Sequence, residues 1–435
     1  MARTAIVTEA AQGIGRAVAL KLAATGVYVT VTDISMKKET LDQLVKEIEA
    51  SGGKAIAVTG DVSKEPEVQA LVQKTVETFG GLDVMVANAG VNKTSTILEL
   101  SNERLDWIMD INVKGVLYCY RAAAVQMIKQ GRGGRIIGAS SRAGVIGEGN
   151  NAAYCASKFA VRAITQTAAL EWGQHNITVN TYAPGIAHTE MLTSTIGTSP
   201  EKLQEIVPAN AAIKRIGKPE EIAEVVCFLA SEGASYVTGI GRAVALRGLF
   251  VFSSNHQTDC AMDLPSKQEP LEQVSSEVQA TGRKCLALFA DVSKEQEVQS
   301  AVKQTVETFG GLDVMIANAG IYEAASVLEG TANNAPYAVS KFGVRAITQT
   351  AALEWGQYGI TVNAYAPGII VTPLMVGSGG GPNGENYVDM LMGNAANKRA
   401  GQPEEVAALV SYLASEGASY ITGQTVSLNG GFMLT

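Results

Sequence analysis

Tyr154-Cys155-Ala156-Ser157-Lys158 is the stretch of this chain best suited to chemistry. Residues four apart lie on one face of a helix, so the Lys158 ammonium can approach the Tyr154 phenol. A neighbouring cation favours phenolate and is expected to draw the tyrosine down from ~10 toward working pH. Such a tyrosine can give a proton to a carbonyl oxygen or take one from an alcohol. Ser141 lies 13 residues before Tyr154, at the end of the strand-like run Ile136–Ser141, and offers a second hydroxyl. Tyr-x-x-x-Lys recurs by chance; with the serine it becomes a functional set. A catalytic metal is not expected, because the chain has 3 His and no His-x-x-x-His.

A second candidate site opens the chain. Thr8-Glu9-Ala10-Ala11-Gln12-Gly13-Ile14-Gly15 lies between a strand-like run and a helix-like one, where backbone N–H groups can receive a pyrophosphate. A tight strand–helix turn needs glycine for steric reasons alone, so Gly13 and Gly15 carry little by themselves. Asp33 adds context: it ends the next strand, 18 residues after Gly15. A carboxylate there can bind a ribose 2′-hydroxyl and repels a 2′-phosphate, which predicts NAD as cofactor and disfavours NADP. A solvated strand-end aspartate is the plain structural alternative.

The elements that must hold these residues follow from periodicity. Thr4–Thr8, Val27–Thr32, Lys54–Thr59, Val84–Ala87, Arg135–Ala139 and Ile177–Ala183 are short Val/Ile/Ala-rich runs with little polar alternation, as in strands buried on both faces. Between them lie amphipathic segments. In Gly13–Leu22, Ile14, Val18 and Leu22 recur on one face; Asp106–Gln130 and Ala156–Gly173 are the long candidate helices. The alternation predicts an α/β fold with a doubly wound parallel sheet, Rossmann-like.

Most of this pattern occurs twice. Thr75–Met85 recurs unchanged as Thr305–Met315, an offset of 230, and Val161–Gln174 recurs as Val344–Gln357, an offset of 183. The second copy has therefore lost 47 residues from its middle. Blocks this large are duplicated domains, not solenoid repeats. We read residues 1–239 as a near-complete first copy lacking its last strand, and 240–435 as a truncated, inactive second copy carrying that strand at Gln424–Leu428. Ser235-Tyr-Val-Thr-Gly239 runs without a linker into Ile240–Leu246, a repeat of the first helix, and Gly377–Gly384 is a glycine-rich loop. Two pairings are open to Gln424–Leu428: beside Ile177–Ala183 in a composite sheet, or beside its own neighbour, Ile360–Ala366.

Composition bounds the function. A 46% hydrophobic and 17% charged content fits a globular protein with a large core, and a net charge of −8 with pI near 5.2 argues against nucleic acid as partner. Cys119, Cys155, Cys227, Cys260 and Cys285 are odd in number and lack Cys-x-x-Cys spacing, as reduced thiols of a cytoplasmic protein do. Strand-like Thr4–Thr8 so soon after Met1 leaves no room for a signal peptide, and no apolar run approaches the ~18 residues of a membrane span.

The first copy resembles a short-chain dehydrogenase/reductase along its whole length. The motifs come in order: the glycine turn, Asp61-Val62, Asn88-Ala89-Gly90, Asn112, Ser141, Tyr154 with Lys158, and Pro184-Gly185. Within the family, Asn112–Gly115, Ser157–Arg162, Thr165–Thr167 and Ala183–Ile186 are most like acetoin/diacetyl reductases (butanediol dehydrogenases), though 3-oxoacyl reductases share several of these. The resemblance implies that Tyr154 is the acid/base, Lys158 its partner and a ribose ligand, and Ser141 the carbonyl-orienting donor. It implies that Asn112 holds a water linking Lys158 to solvent, with Asp61 and Val62 at the adenine. Asn88 and Gly90 would line the adenosine, and Pro184, Gly185, Ile186 and Thr189 the nicotinamide, beside Gly13, Ile14, Gly15 and Asp33. The expected substrate is a small ketone or secondary alcohol, and a homo-oligomer is compatible with the helix from Ala156.

The pattern breaks in two places. Glu9 replaces the family's first turn glycine, setting a carboxylate where backbone approaches the pyrophosphate, unless the side chain tips outward. The second copy keeps Asp263, Asp291, Asn318, Gly320, Tyr337, Lys341, Pro367, Gly368 and Thr372, but has lost the equivalents of Asn112 and Ser141. Two readings compete: an NAD(H)-dependent oxidoreductase working through the first copy on an acetoin/diacetyl-type substrate, with a 3-oxoacyl or secondary-metabolite ketone as runner-up, and a non-catalytic pseudoenzyme or fused gene product.

Overall fold

The computed structural model describes residues 2–196, 213, 215–239, 258–264, 268–319, 335–372 and 395–431. The chain divides into two compact units. The larger joins Met1–Phe250, Ala338–Leu413 and Gly417–Thr435; the smaller is Val251–Tyr337 with Ala414–Glu416. These units are drawn differently from the repeat, since the larger one takes in the C-terminal half of the second copy.

Within the larger unit the first copy forms one parallel sheet. Its strands are β1 (Thr4–Thr8), β2 (Tyr28–Asp33), β3 (Ala55–Thr59), β4 (Val84–Ala87), β5 (Gly134–Ala139) and β6 (Ile177–Tyr182), in the order β3-β2-β1-β4-β5-β6. That order reverses between β1 and β4, the switch point at which doubly wound sheets bind ligands. Alternate residues of each strand feed two cores. Ala5, Val7, Val84 and Val86 pack on one face, while Ile6, Met85 and Ile136 pack on the other. The covering helices are α1 (Gly13–Ala24), α2 (Lys38–Ala50), α3 (Glu65–Phe79), α4 (Asn102–Met109), α5 (Val116–Gln130), α6 (Ala152–Trp172), α7 (Glu190–Ile196) and α8 (Pro219–Ala230). No described helix is long and apolar enough to cross a membrane.

Two helices depart from the periodicity. The single helix expected over Asp106–Gln130 is instead α4, a π-helical turn at Asp110–Gly115, and α5. Such turns add a residue to the ladder without a compositional mark, often at functional sites. Gly115 is needed there, because a Cβ would press on the Val62 side chain. α6 begins at Ala152, so Tyr154 sits inside its first turn rather than ahead of it.

The smaller unit repeats the second and third strands of the first copy. β7 (Thr258–Asp263) pairs in parallel with β8 (Lys284–Phe289), flanked by α9 (Gln268–Ala280) and α10 (Glu295–Phe309). The repeat of β4 forms no strand: residues 312–319 are irregular. Met315 and Ile316 are 54% and 53% exposed, whereas their counterparts Met85 and Val86 are at 0%. In the first copy β4 is held between β1 and β5. The second copy lacks the stretch that would make the latter, and among the described residues no strand pairs with 312–319.

The C-terminal part contributes α11 (Ala335–Trp355), β9 (Ala364–Pro367), α12 (Pro403–Leu413) and β10 (Thr425–Leu428). β10 pairs in parallel with β9, from Thr425 against Ala364 to Leu428 against Pro367. The composite arrangement beside β6 is thereby refuted. Its cause is local: the Gly423 amide donates to Val362 O at 2.8 Å and the Asn363 amide to Ile421 O at 2.9 Å, fixing the partner before the strand begins. The first copy makes the same lock on β6, where Gly239 N donates to Val179 O and the Asn180 amide to Val237 O, both at 2.8 Å. The strand sought after Gly239, the Ile240–Leu246 repeat and the Gly377–Gly384 loop lie outside the described residues.

Candidate active site

α6 carries two of the chemical groups on successive turns. Lys158 is buried, donates from Nζ to Ala139 O at 2.9 Å, and lies 5.5 Å from the centre of the Tyr154 ring. Burial pulls its pKa down to about 8, against an opposing pull from Glu9. Ser141, one residue past the Ser140 that follows β5, lies near enough to the Tyr154 phenol to favour its ionisation. Its Oγ also accepts from Ala143 N at 3.2 Å. Tyr154 departs from expectation in direction: burial raises it to about 12, with the Ser141 hydroxyl opposing and Glu148 and Glu9 adding to the rise. Desolvation dominates, because the dry setting disfavours the charged form of each group.

Asn112 stands on the π-helical turn, fully buried. Its Oδ1 accepts from Val91 N at 2.7 Å, and Nδ2 donates to Val91 O at 2.9 Å and Ser157 Oγ at 3.0 Å. Both amide hydrogens are thus committed to holding the loop after β4 against α6, one residue from Lys158.

The turn after β1 faces this group. Glu9 adopts φ 51°, a left-handed conformation that glycine takes without strain. Its side chain turns inward: Oε2 accepts from Gly90 N at 2.8 Å. Burial raises its carboxyl to about 7, with the Gly90 hydrogen bond opposing. The outward-tipping alternative is therefore wrong, because the carboxyl finds a backbone donor in the loop after β4. Gly15 is obligatory, since a Cβ would overlap the Glu9 backbone and crowd the Asn88 amide. Ile14 packs at the edge of the core formed by α1 and α8.

Asn88 is stitched into place. It donates to Thr8 O at 2.9 Å and accepts from the Tyr182 hydroxyl at 2.6 Å, while Thr8 Oγ1 receives the amides of Asn88 and Ala89. A Cβ on Gly90 would lie 3.1 Å from Lys158 Nζ. The far loop arrives over the turn: the Thr189 methyl would stand 3.6 Å from a Cβ on Gly13. Pro184 O accepts from Arg142 N at 3.0 Å and Ile186 O from Gly217 N at 3.0 Å, fixing the segment that includes Gly185. Apolar Met191 and Leu192 follow at the start of α7, and Val145 and Ile146 lie beyond Ser141.

The outer residues are more committed to structure. Asp33 accepts from Ile34 N at 2.8 Å and Ala11 N at 3.2 Å, and burial raises its carboxyl despite these bonds and the nearby Lys37. Asp61 accepts from Ser63 N and Oγ at the entrance to α3. Burial raises its carboxyl, but the Ser63 bonds and Lys64 carry the balance downward. Val62 packs beneath Gly115. Thr8, Tyr182 and Glu148 were missed from sequence. A strand-end hydroxyl could have flagged Thr8; nothing local marks the others.

These residues suit a pyridine dinucleotide. Missing β-carbons at Gly13 and Gly90 leave room toward Thr189 and Lys158, the turn leads into the α1 N-terminus, and a buried ammonium has hydrogens beyond the one given to Ala139. Glu9 is the one departure. In the second copy, Asp263, Asp291 and Asn318 fall in the smaller unit, while Lys341, Pro367, Gly368 and Thr372 fall in the larger one. Lys341 is exposed; Gly320 and the Tyr337 side chain lie outside the described residues.

A family profile described as enoyl-(acyl carrier protein) reductase matches residues 10–245 and 323–433, and the short chain dehydrogenase profile matches 233–333. The chain belongs to the short-chain dehydrogenase/reductase family. Family members generally use NAD or NADP. A short-chain dehydrogenase/reductase of Armillaria gallica is 45% identical over 54% of this chain and 92% of its own length. A 3-oxoacyl-[acyl-carrier-protein] reductase of Staphylococcus aureus is 38% identical over 55% and 95%. Among solved structures, levodione reductase aligns with a TM-score of 0.52 at 32% identity, covering 56% of this chain and 95% of its own. Acetoin dehydrogenase from Salmonella typhimurium aligns at 0.50 and 33%, covering 56% and 95%.

Proposed function

We propose that residues 1–239 work as an NAD(H)-dependent oxidoreductase interconverting a secondary alcohol and a ketone, and that residues 240–435 form a truncated copy without turnover of its own. The observation that carries this is the Tyr154 ring beside a buried Lys158, 5.5 Å from its ammonium, with Ser141 close enough to act on the phenol. When bound in reduced form, the nicotinamide supplies a hydride to the carbonyl carbon. The chain supplies the matching proton: Tyr154 gives it to the carbonyl oxygen, which Ser141 orients. Held neutral by burial, the phenol is a ready donor to an alkoxide-like oxygen, which is far more basic. Lys158 offers its ammonium to ribose hydroxyls. Asp33 at the end of β2 favours NAD over NADP, and Lys37 beside it is engaged with Gln12 Oε1 at 2.7 Å.

Small vicinal diketones and hydroxyketones are the first-choice substrates, suited to the apolar walls offered by Val145, Ile146, Met191 and Leu192. Likeness to acetoin dehydrogenase and levodione reductase supports that choice. A 3-oxoacyl thioester is the second reading, supported by the Staphylococcus relative. Glu9 supports the rival reading, a pseudoenzyme that no longer binds cofactor. Purified protein and its Glu9→Gly variant should be offered diacetyl and a 3-oxoacyl thioester, each with NADH and with NADPH. Diacetyl-dependent oxidation of NADH is expected. Tighter binding of NADPH would refute the role given to Asp33, and no turnover in either protein would leave the pseudoenzyme.

A further inference from the structure

Within the larger unit, the end of the first copy packs against the same region of the second copy, and it does so reciprocally. Arg215 forms a two-pronged ion pair with Glu221 and lies over the Tyr420 ring, 5.3 Å from its centre. Arg399, the repeat of Arg215, pairs with Glu405 in the same way and lies 5.1 Å over Tyr236, the repeat of Tyr420. Ser235 donates to Glu405 at 2.7 Å, and its repeat Ser419 donates to Glu221 at 3.4 Å. On the axis between the halves Phe228 stacks on its own repeat, Tyr412, with centroids 4.2 Å apart and planes 4° from parallel. Self-pairing at the centre and exchanged contacts on either side are the marks of a two-fold, isologous interface. Here both halves belong to one chain.

The contact reaches the cofactor loop. Tyr420 donates its hydroxyl to Ile186 O at 3.3 Å, the same carbonyl that accepts from Gly217 N. Its ring fills the place of the side chain that Gly217 lacks. Tyr236 makes the reciprocal contact in the second copy, to Ile369 O and Arg399 O. The reciprocity therefore survives in geometry while only one direction leads to a candidate site with its serine and asparagine.

We infer that the truncated copy serves as a built-in partner subunit for the first, and that Tyr420 is a positioning residue for its nicotinamide loop. This rests on the cofactor assignment under the proposed function only for its effect on binding; bracing of Ile186 and Gly217 stands apart from it. Tyr420 touches no reacting atom. It holds the strip from Pro184 to Thr189, which in turn lies over Gly13.

Two substitutions in the full chain test this. Tyr420→Phe keeps the ring and loses the hydroxyl; Tyr236→Phe makes the same change on the reciprocal contact. Hydrogen exchange at the Gly217 and His188 amides reads the loop without cofactor, and NADH titration reads binding. Tyr420→Phe should speed exchange at both amides by about fivefold, the worth of one hydrogen bond, and raise the NADH dissociation constant. Tyr236→Phe should leave both readouts at their wild-type values. Unchanged exchange in Tyr420→Phe overturns the bracing role, as does equal acceleration in Tyr236→Phe. Faster exchange in a protein that binds no NADH upholds the bracing and removes the cofactor assignment instead.

Discussion

Replacing Glu9 by glycine should tighten binding of NADH, and the gain should grow with pH. Glu9 Oε2 sits on the amide of Gly90, beside the turn that would receive a pyrophosphate. A carboxylate ~5 Å from one phosphate charge, at an effective dielectric of ~20, is repelled by about 3 kcal/mol, and solvent and salt reduce that toward about 1 kcal/mol. The span corresponds to about 5- to 150-fold in dissociation constant. Because its carboxyl is raised to about 7, Glu9 is mostly neutral at pH 6 and mostly charged at pH 8. The repulsion is thus present above neutrality and lost below it. Glu9→Gly measured against wild type by NADH fluorescence should bind roughly tenfold tighter at pH 8 in low salt, with little difference at pH 6. Stability should change little: glycine relieves a left-handed residue by roughly 1–2 kcal/mol, and loss of the bond to Gly90 N costs about 1 kcal/mol. Glu9→Gln keeps the bulk and removes the charge, so it should recover most of the gain. Dissociation constants within twofold of wild type at pH 8, in both variants, would refute the electrostatic account.

Tyr154→Phe should lower turnover by about 10²–10⁴-fold, the usual contribution of a positioned acid or base, while Tyr337→Phe leaves it nearly intact; the reverse result in steady-state assays would move the chemistry to the second copy. Since burial holds Tyr154 up to about 12, it stays protonated across neutral pH. Alcohol oxidation, which needs phenolate, should still be rising at pH 9 in a pH–rate profile; a plateau near pH 7 would contradict this. Met85→Ala should destabilise by about 2–5 kcal/mol and Met315→Ala by no more than about 0.5 kcal/mol. Comparable losses in chemical denaturation would mean that the repeat of β4 is packed after all.

The strands of the first copy were legible because buried parallel strands leave unbroken Val/Ile/Ala runs, and β1 and β4 begin and end where those runs do. Tyr154, Lys158 and Ser141 were legible as a set because helix period and strand end fix their separation. The π-helical turn at Asp110–Gly115 was not, since a shifted hydrogen-bond ladder leaves no compositional trace. Nor was the direction of the Tyr154 shift, which depends on what covers the phenol rather than on how far along the chain its lysine lies. Gln424–Leu428 could be recognised as a strand, but its partner is chosen by amides at Asn363 and Gly423 that no hydrophobic pattern announces. Arg215, Glu221 and Tyr236 stand in the sequence again as Arg399, Glu405 and Tyr420. That these two patches face each other is a fact of topology alone.

Phe228 stacked on Tyr412 has a consequence for how this protein can evolve. When two identical chains meet about a two-fold axis, one codon writes both sides of the contact, and each substitution is felt twice. Here two codons write it. A change at Phe228 meets an unchanged Tyr412, so its cost falls once, and a later change on the other side can answer it. The residues already differ by a hydroxyl, and nearby Glu224, which lies against Gly417, has Ala408 as its repeat, against Gly233. Because both halves of this interface lie in one chain and are encoded separately, each half is open to separate selection.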